Sequence, residues 1–475
     1  MSEKINTSRR KFLRHIGSSG LLLAAGPLAG LAVNRTEEKI ISYSKRISAN
    51  DKIGIGMIGL GIMGYNNAET ALKVPGVELI AGCDLYSGRL QRAKEVYGKN
   101  IFTTRDYREL LNRKDIDAVI ISTTDHWHAR IAQEALAKGK AVYLEKPMVH
   151  KISEGLPLIA AQKKSGKILQ VGSQRVSSIV YEKAKELYKS GEIGKLNMVN
   201  AIYERQSALG AWQYTMPADA SPATVDWDRY IAGMPKIPYD PKKFFWWRNY
   251  REFGTGVAGD LFVHLLSGTH LITGSKGPEK IFSSGQLSYW KDERNVPDVM
   301  TAIMEYPETT EHPVFQLTLS VNFISGTGGS ESIKFIGEEG TIDIRGNDLK
   351  VTHSIMSKAP GIGGWDALNT YPKTMQEQLL NQYNQKYSEE DKKRITKPDI
   401  EFRAPQGYSD HLDHFTNFFE AVRSGKPVVE DAVFGFRAAA PCLACNDSYF
   451  QKKIINWNPE QMKITEGLKT GHSKK

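Results

Sequence analysis

Cysteine is nearly absent from this sequence: Cys83, Cys442 and Cys445 are the only three in 475 residues. An odd count this low cannot staple a chain of this size, so a disulfide scaffold is excluded. Cys442 and Cys445 form a C-x-x-C beside Pro441, but in an alanine-rich helical run that reads as packing thiols rather than a redox pair. Long basic runs are missing too. Of the formal charge of +10, Lys4, Arg9, Arg10, Lys11 and Arg14 against Glu3 supply four, and the remaining six are spread along the chain. That pattern gives no nucleic-acid footprint. Between Glu3 and Glu37 there is no acid, and the apolar stretch Ile16–Val33 is diluted by Gly17, Ser18, Ser19, Gly20, Gly26 and Gly30, which argues against a permanent membrane span.

What the chain does have is size and one well-marked turn. Its length exceeds what one hydrophobic core usually supports, so two domains are expected. Ile53, Ile55, Met57 and Ile58 form a short apolar run, which breaks into Gly59-Leu60-Gly61-Ile62-Met63-Gly64 and then a helical segment, Tyr65–Val74. After Pro75-Gly76 a second apolar run, Val77–Cys83, ends at Asp84. Strand, glycine turn, helix, strand and terminal acid make a βαβ unit suited to a dinucleotide. Gly59 permits the tight turn, Gly61 admits a pyrophosphate, Gly64 lets helix pack on strand, and the helix N-terminus offers free N–H groups to the anion. Asp84 is placed to bind the adenosine ribose and favours NAD, because its charge repels a 2′-phosphate; Arg89 keeps NADP open. A similar turn that has lost its ligand is the alternative.

The same domain continues through helix Arg89–Tyr97, strand Asn100–Thr103, an Asp106-capped helix Tyr107–Leu111 and the buried-type strand Ala118–Thr123. Ligands collect at the carboxyl ends of parallel strands, so Ser122, Thr123, His126 and His128 are expected to face the cofactor. A loop H-x-H without a third ligand gives no metal site. Helix Ala129–Ala137 and strand Ala141–Leu144 lead to Glu145-Lys146-Pro147. The glycine turn, the Ser122–His128 strand end and Glu145-Lys146-Pro147 together resemble the Gfo/Idh/MocA oxidoreductases, named for glucose-fructose oxidoreductase, inositol dehydrogenase and a rhizopine-catabolism protein. The resemblance implies an α/β architecture: an N-terminal Rossmann dinucleotide-binding domain (53–172) and a C-terminal α+β domain (173–475) with a large, mostly antiparallel, open-faced sheet used for oligomerisation. It also implies cofactor contacts from Glu145 and Lys146, with Lys146 as acid/base group, and a Lys146-Pro147 peptide that is commonly cis. A surface loop lysine is the bland alternative.

In the second half, alternating patterns at 280–287, 299–306, 315–323, 332–336, 341–344 and 349–352 predict antiparallel strands. Phe244-Phe245-Trp246-Trp247-Arg248 offers Trp247 to stack on a sugar face and Arg248 for its hydroxyls; core aromatics with a surface arginine are the alternative. Gly254–His264 reads as a glycine-rich turn entering a helix, with Asp260 and His264 at i, i+4 on one face. This resembles the family's Asp-x-x-x-His segment, which implies that both bind the hydroxyl being oxidised and that His264 relays its proton with Lys146. A helix cap and a core histidine are the structural alternatives. The family commonly has glycine where Phe262 stands. Residues 354–407 are polar and read as a loop-rich insertion. His411 and His414 sit in one closing helix, Tyr408–Arg423, and Asp431–Phe450 forms the other.

Ser8-Arg9-Arg10-Lys11-Phe12-Leu13 followed by Ile16–Val33 reads as a twin-arginine signal over 1–32, with 33–52 as a polar linker. An uncleaved anchor is the alternative. Recognition by the twin-arginine machinery implies export to the periplasm already folded, with NAD (or NADP) tightly bound. The expected function is an NAD(P)-dependent oxidoreductase acting on the CH–OH group of a sugar, polyol or sugar derivative. The rival is a redox-neutral glycosidase that uses hydride transfer transiently. A non-catalytic sugar-binding protein is disfavoured by the Lys146, Asp260 and His264 set.

Overall fold

A computed structural model describes residues 51–466, which belong to one compact unit, Ile47–Lys475. The signal reading of 1–32 and most of the linker lie outside the described residues.

Six strands form the first sheet: β1 (Ile53–Ile58), β2 (Val77–Cys83), β3 (Phe102–Thr104), β4 (Ala118–Ile121), β5 (Ala141–Leu144) and β6 (Leu169–Val171). They run parallel in the order β3-β2-β1-β4-β5-β6. Every residue of β4 and β5 is buried, as strands covered on both faces by helices must be. Those helices are α1 (Ile62–Ala71), α2 (Ser87–Tyr97), α3 (Tyr107–Leu111), α4 (Asp125–Ala137) and α5 (Gly155–Ser165). Strand order reverses between β1 and β4, which opens a crevice at their carboxyl ends. Asp106 caps α3 by accepting from Arg108 N.

The second sheet has ten strands in the order β14-β13-β12-β11-β7-β10-β9-β8-β15-β16. They are β7 (Leu196–Glu204), β8 (Lys280–Gln286), β9 (Val299–Tyr306), β10 (Phe315–Asn322), β11 (Ser330–Gly337), β12 (Gly340–Arg345), β13 (Asp348–His353), β14 (Ile400–Arg403), β15 (Ile455–Asn458) and β16 (Lys463–Thr465). All pairings are antiparallel except β7 with β10. The exception has a topological cause: β7 leaves into the long connection 205–279 instead of a hairpin, so it is free to insert beside β10. Alternation is clear along β9, where Met300, Ala302, Met304 and Tyr306 are buried and Thr301 and Ile303 face out. Helices α6 (Ile179–Lys189) and α7 (Val263–Thr273) pack against one another behind this sheet.

Residues 354–407 are more ordered than their composition predicts. They hold α8 (Lys373–Lys386), a helical turn at Glu389–Lys392 and strand β14. No residue of α8 is buried, yet Met375, Leu379 and Tyr383 recur at helical spacing, a short apolar period inside a segment whose overall composition is polar. The chain closes with α9 (Asp410–Ser424) and α10 (Ala432–Gln451). Phe415, Phe418 and Phe419 of α9 complete the core beneath the first sheet, with Phe415 stacked on Tyr143 at 4.3 Å between ring centroids. All three cysteines are free and buried. Among the described residues no helix is long and apolar enough to cross a membrane.

Candidate active site

The crevice between the two sheets is a cleft of about 360 Å³, within the range of small-ligand sites. At one end lies the glycine turn. Gly59 has φ +91°, and a Cβ there would meet Ser122 O at 2.5 Å, so only glycine fits between β1 and β4. A Cβ on Gly64 would come 2.1 Å from Gly59 O, whereas one on Gly61 would meet nothing nearer than the Arg89 guanidinium at 4.0 Å. Helix α1 starts with neither a side-chain cap nor an acid in its first turn. The N–H groups of Ile62, Met63 and Gly64 are therefore left for an anion. An open approach at Gly61 in front of unspent donors fits a dinucleotide pyrophosphate.

Asp84 ends β2 with both oxygens engaged: Leu60 N donates to Oδ2 at 2.8 Å and Tyr86 N to Oδ1 at 2.9 Å. Arg89 pairs with Oδ2 at 3.4 Å and lies over the rings of Phe244 and Phe245. Asp84 thus fastens the turn as well as offering an acidic rim to a ribose. Ser122 and Thr123 line the same cleft.

The two neighbouring histidines part company. His128 reaches the cleft, with Nδ1 2.8 Å from Pro147 O. His126 does not, contrary to the expectation from sequence. Its Nε2 lies 3.0 Å from Tyr230 O and its ring packs on Tyr230 and Phe253, beside a different cavity. The cause is helical geometry: both residues are in the first turn of α4, and positions two apart face roughly opposite sides. Burial holds both imidazoles neutral by lowering their pKa.

Lys146 follows β5 through a cis bond to Pro147. Its Nζ donates to Asp260 O at 2.8 Å and to Asp260 Oδ1 at 2.9 Å, and Arg248 Nε donates to the same Oδ1 at 3.2 Å. Asp260 lies in a single π-helical turn, Ala258–Phe262, which runs into α7. Such turns insert one residue into a helix and recur at functional sites. Burial alone would raise the Asp260 pKa, but Lys146 and Arg248 outweigh it and hold the carboxyl below its ordinary value. His264 stands half-buried on the cleft wall and makes no hydrogen bond within the described residues. Burial, then Lys146, keep its pKa well below 6.5, so at neutral pH it is an unprotonated imidazole. Arg248 also lies 4.2 Å over the ring of Trp247, and both line the cleft. Phe262, by contrast, is fully buried, so replacing the family's glycine there does not narrow the cleft.

Glu145 is buried, and Asn67 Nδ2 donates to its Oε1 at 2.9 Å and to Ser122 Oγ at 2.9 Å. Asn67 Oδ1 accepts from His411 Nε2 at 2.9 Å, which ties α9 to the glycine-turn helix. Among the residues that sequence reasoning missed are Asn67 and the cleft residues Asp125, Tyr203, Arg205 and Trp212. Asp125 stands just past the predicted strand end and clamps Thr255 through both N and Oγ1, at 2.9 and 2.8 Å. Tyr203 and Arg205 stand at the carboxyl end of β7 in the mostly antiparallel sheet, where the strand-end rule for parallel sheets gives no expectation. Trp212, held at φ 64°, left no signal.

Comparison with known proteins places the fold. Inositol 2-dehydrogenase of Salmonella typhimurium is 35% identical over 156 residues, 32% of this chain and 46% of that protein. The alpha-N-acetylgalactosaminidase of Shewanella oneidensis is 33% identical over 180 residues, 34% of this chain and 38% of its own. The chain thus spans less than half the length of these curated relatives. Solved structures share the fold at low identity. Levoglucosan dehydrogenase in complex with NADH and levoglucosan has a TM-score of 0.60 at 18% identity, over 85% of this chain and 99% of its own. The aldose-aldose oxidoreductase of Caulobacter crescentus, complexed with glycerol, has a TM-score of 0.60 at 16% identity, over 85% and 99%. Two family models match in tandem: the oxidoreductase NAD-binding Rossmann fold over residues 53–173 and the oxidoreductase C-terminal alpha/beta domain over 229–456. With most of its length so matched, the chain belongs to the Gfo/Idh/MocA oxidoreductase family.

Proposed function

We propose that the protein is an NAD(P)-dependent oxidoreductase that oxidises the CH–OH group of a sugar, polyol or sugar derivative. The observation that carries this reading is the meeting of Lys146, Asp260 and His264 in the cleft that also holds the glycine turn. When bound, the dinucleotide supplies the acceptor for the carbinol hydride. The Lys146 ammonium donates to the reacting oxygen and stabilises the charge that grows there, while neutral His264 takes up the hydroxyl proton. Asp260, fixed by two cations, holds Lys146 in place. Trp247, stacked under Arg248, offers a face for the ring. Asp84 at the ribose end favours NAD, and Arg89 beside it leaves NADP open.

Similarity to the Shewanella oneidensis alpha-N-acetylgalactosaminidase supports a second reading, a glycosidase in which the oxidation is transient and later reversed. The cleft carboxylates are already engaged: Asp84 by backbone N–H groups, Asp125 by Thr255, Glu145 by Asn67 and Asp260 by its cations. Glycoside cleavage here would therefore draw on oxidation rather than on a free carboxylate pair. One assay separates the readings: purified protein is incubated with sugars, polyols and glycosides while nicotinamide absorbance and product release are both followed. Stoichiometric absorbance change supports the dehydrogenase. Release of product without net absorbance change supports the glycosidase, and neither signal with any carbohydrate rejects both.

We also propose export by the twin-arginine route, on the Ser8–Leu13 motif. Replacing Arg9 and Arg10 by lysine should trap the protein in the cytoplasm, and normal periplasmic amounts of the double variant would refute the route. Association through the open sheet face is supported by the exposed cross-strand pair Phe282 and Ile303.

A further inference from the structure

The cleft does not end at His264. A second groove of about 420 Å³ opens beyond it, and Met63, Gln174, Tyr203 and His264 line both. Its volume is in the range of a ligand site in its own right.

The walls of this groove are fixed by interactions already made. Arg175 is bidentate to Glu331 through Nη2, at 2.9 Å to each oxygen, and pairs with Asp410 at 3.1 Å through Nη1. His411 is held between Thr70 and Asn67. Against this fixed wall, Asn66 and Glu69 lie one turn apart on α1 and make no hydrogen bond within the described residues. The tyrosine hydroxyl of Tyr203 is likewise without a protein partner.

Charge narrows the ligand class. The guanidinium of Arg175 is spent on two carboxylates, so an anionic ligand would have to displace an existing pair. Glu69 and Lys73 add one charge of each sign. Unspent amide, carboxylate and hydroxyl groups on a fixed wall with no excess of positive charge disfavour an anion and suit a neutral ligand rich in hydroxyl groups.

We infer that this groove is a second sugar subsite, and that the substrate is a glycoside or oligosaccharide whose second ring passes His264 into it. The inference rests on the proposed carbohydrate oxidation and specifies its substrate class.

The test uses the holoprotein and compares kcat/KM for free hexoses and polyols with that for their disaccharides, following oxidation and product release. Wild type, Asn66→Trp, which fills the groove, and Glu69→Gln, which removes only one charge, are measured alongside the dinucleotide released on denaturation. Disaccharides should be preferred by about tenfold or more, a contact difference of ordinary size for an occupied pocket. Asn66→Trp should abolish that preference and Glu69→Gln should weaken it, with dinucleotide content equal to wild type. If free sugars are used as well as disaccharides and neither variant alters the ratio, the subsite is refuted while the oxidoreductase reading stands. If no carbohydrate of either size is turned over, both fall. Should Asn66→Trp misfold, the Glu69→Gln ratio decides alone, and an unaltered ratio overturns the inference.

Discussion

Lys146 Nζ donates to the backbone carbonyl and to the carboxylate of Asp260, at 2.8 and 2.9 Å, so one residue of the C-terminal half holds the ammonium by two bonds. Removing one partner of a buried pair leaves an uncompensated charge, which usually costs about 3–5 kcal/mol. Here Lys146→Met is buffered, because Arg248 still pairs with Asp260. The variant should stay folded and keep its dinucleotide, yet lose about 10²–10³ in kcat, the ordinary worth of one donor aimed at charge developing on the reacting oxygen. His264→Ala should do similar damage, and the double variant should lose less than the product of the single effects. Near wild-type turnover by Lys146→Met on the true substrate would refute its role.

The glycines of the turn separate binding from folding. Because a Cβ at Gly61 meets no protein atom closer than 4.0 Å, Gly61→Val should preserve thermal stability while obstructing the pyrophosphate. Gly64→Ala should instead destabilise, since its Cβ would fall 2.1 Å from Gly59 O. Wild-type protein is expected to release dinucleotide on denaturation and Gly61→Val to release none. Equal dinucleotide content in the two proteins would show that the turn does not hold the cofactor.

The first sheet was legible because its signals are local. Buried parallel strands read as apolar runs, and the glycines of the turn form a compact motif, even though Gly59 is dictated by Ser122 at the end of β4 and only Gly64 by a near neighbour, Gly59. The Lys146, Asp260 and His264 set was readable only through its resemblance to a family, since no periodicity joins residue 146 to residue 260. His126 was misplaced because a strand-end rule does not say where the following helix begins; with α4 starting at Asp125, two residues decide which face an imidazole takes. Asn67 and α8 escaped for different reasons. The first gains meaning only from Glu145 and His411, far along the chain, and the second carries its short period of Met375, Leu379 and Tyr383 inside a segment whose overall polarity masks it.

Buried histidines make the fold sensitive to acid. Burial lowers the pKa of His126 and His270 to about 3, and of His411 and His414 to about 4. Since their folded values lie below the unfolded value of about 6.5, the stability they contribute is complete above it and erodes as pH falls toward 4. The buried carboxyls of Glu145 and Glu430, raised by desolvation, act in the opposite sense. Each histidine costs on the order of 1 kcal/mol one unit below its unfolded pKa, and the four act together. Tm should fall between about pH 7 and about pH 5, and His414→Gln should flatten that slope. A Tm constant over this interval would show that the histidines do not govern it.

Asn67 joins three parts of the molecule through its amide. Nδ2 donates to Glu145 and Ser122, and Oδ1 accepts from His411. This assigns the amide orientation and the Nε2–H tautomer of His411, because a carboxylate can only accept. Asn67→Leu would keep the shape but leave Glu145 and His411 unsatisfied, at about 1–3 kcal/mol for each buried group. Asn67→Asp is the sharper probe. It places a second carboxyl against buried Glu145, and like charges at this distance resist ionising together. The pair would then hold a proton that the unfolded chain releases, so stability should rise as pH falls through the range where Asp and Glu ordinarily titrate and somewhat above it. Asn67→Asp should therefore be least stable near neutral pH and recover toward pH 5, where wild type weakens. A variant whose Tm follows the wild-type curve at a constant offset would show that Asn67 does not carry the Glu145 contact.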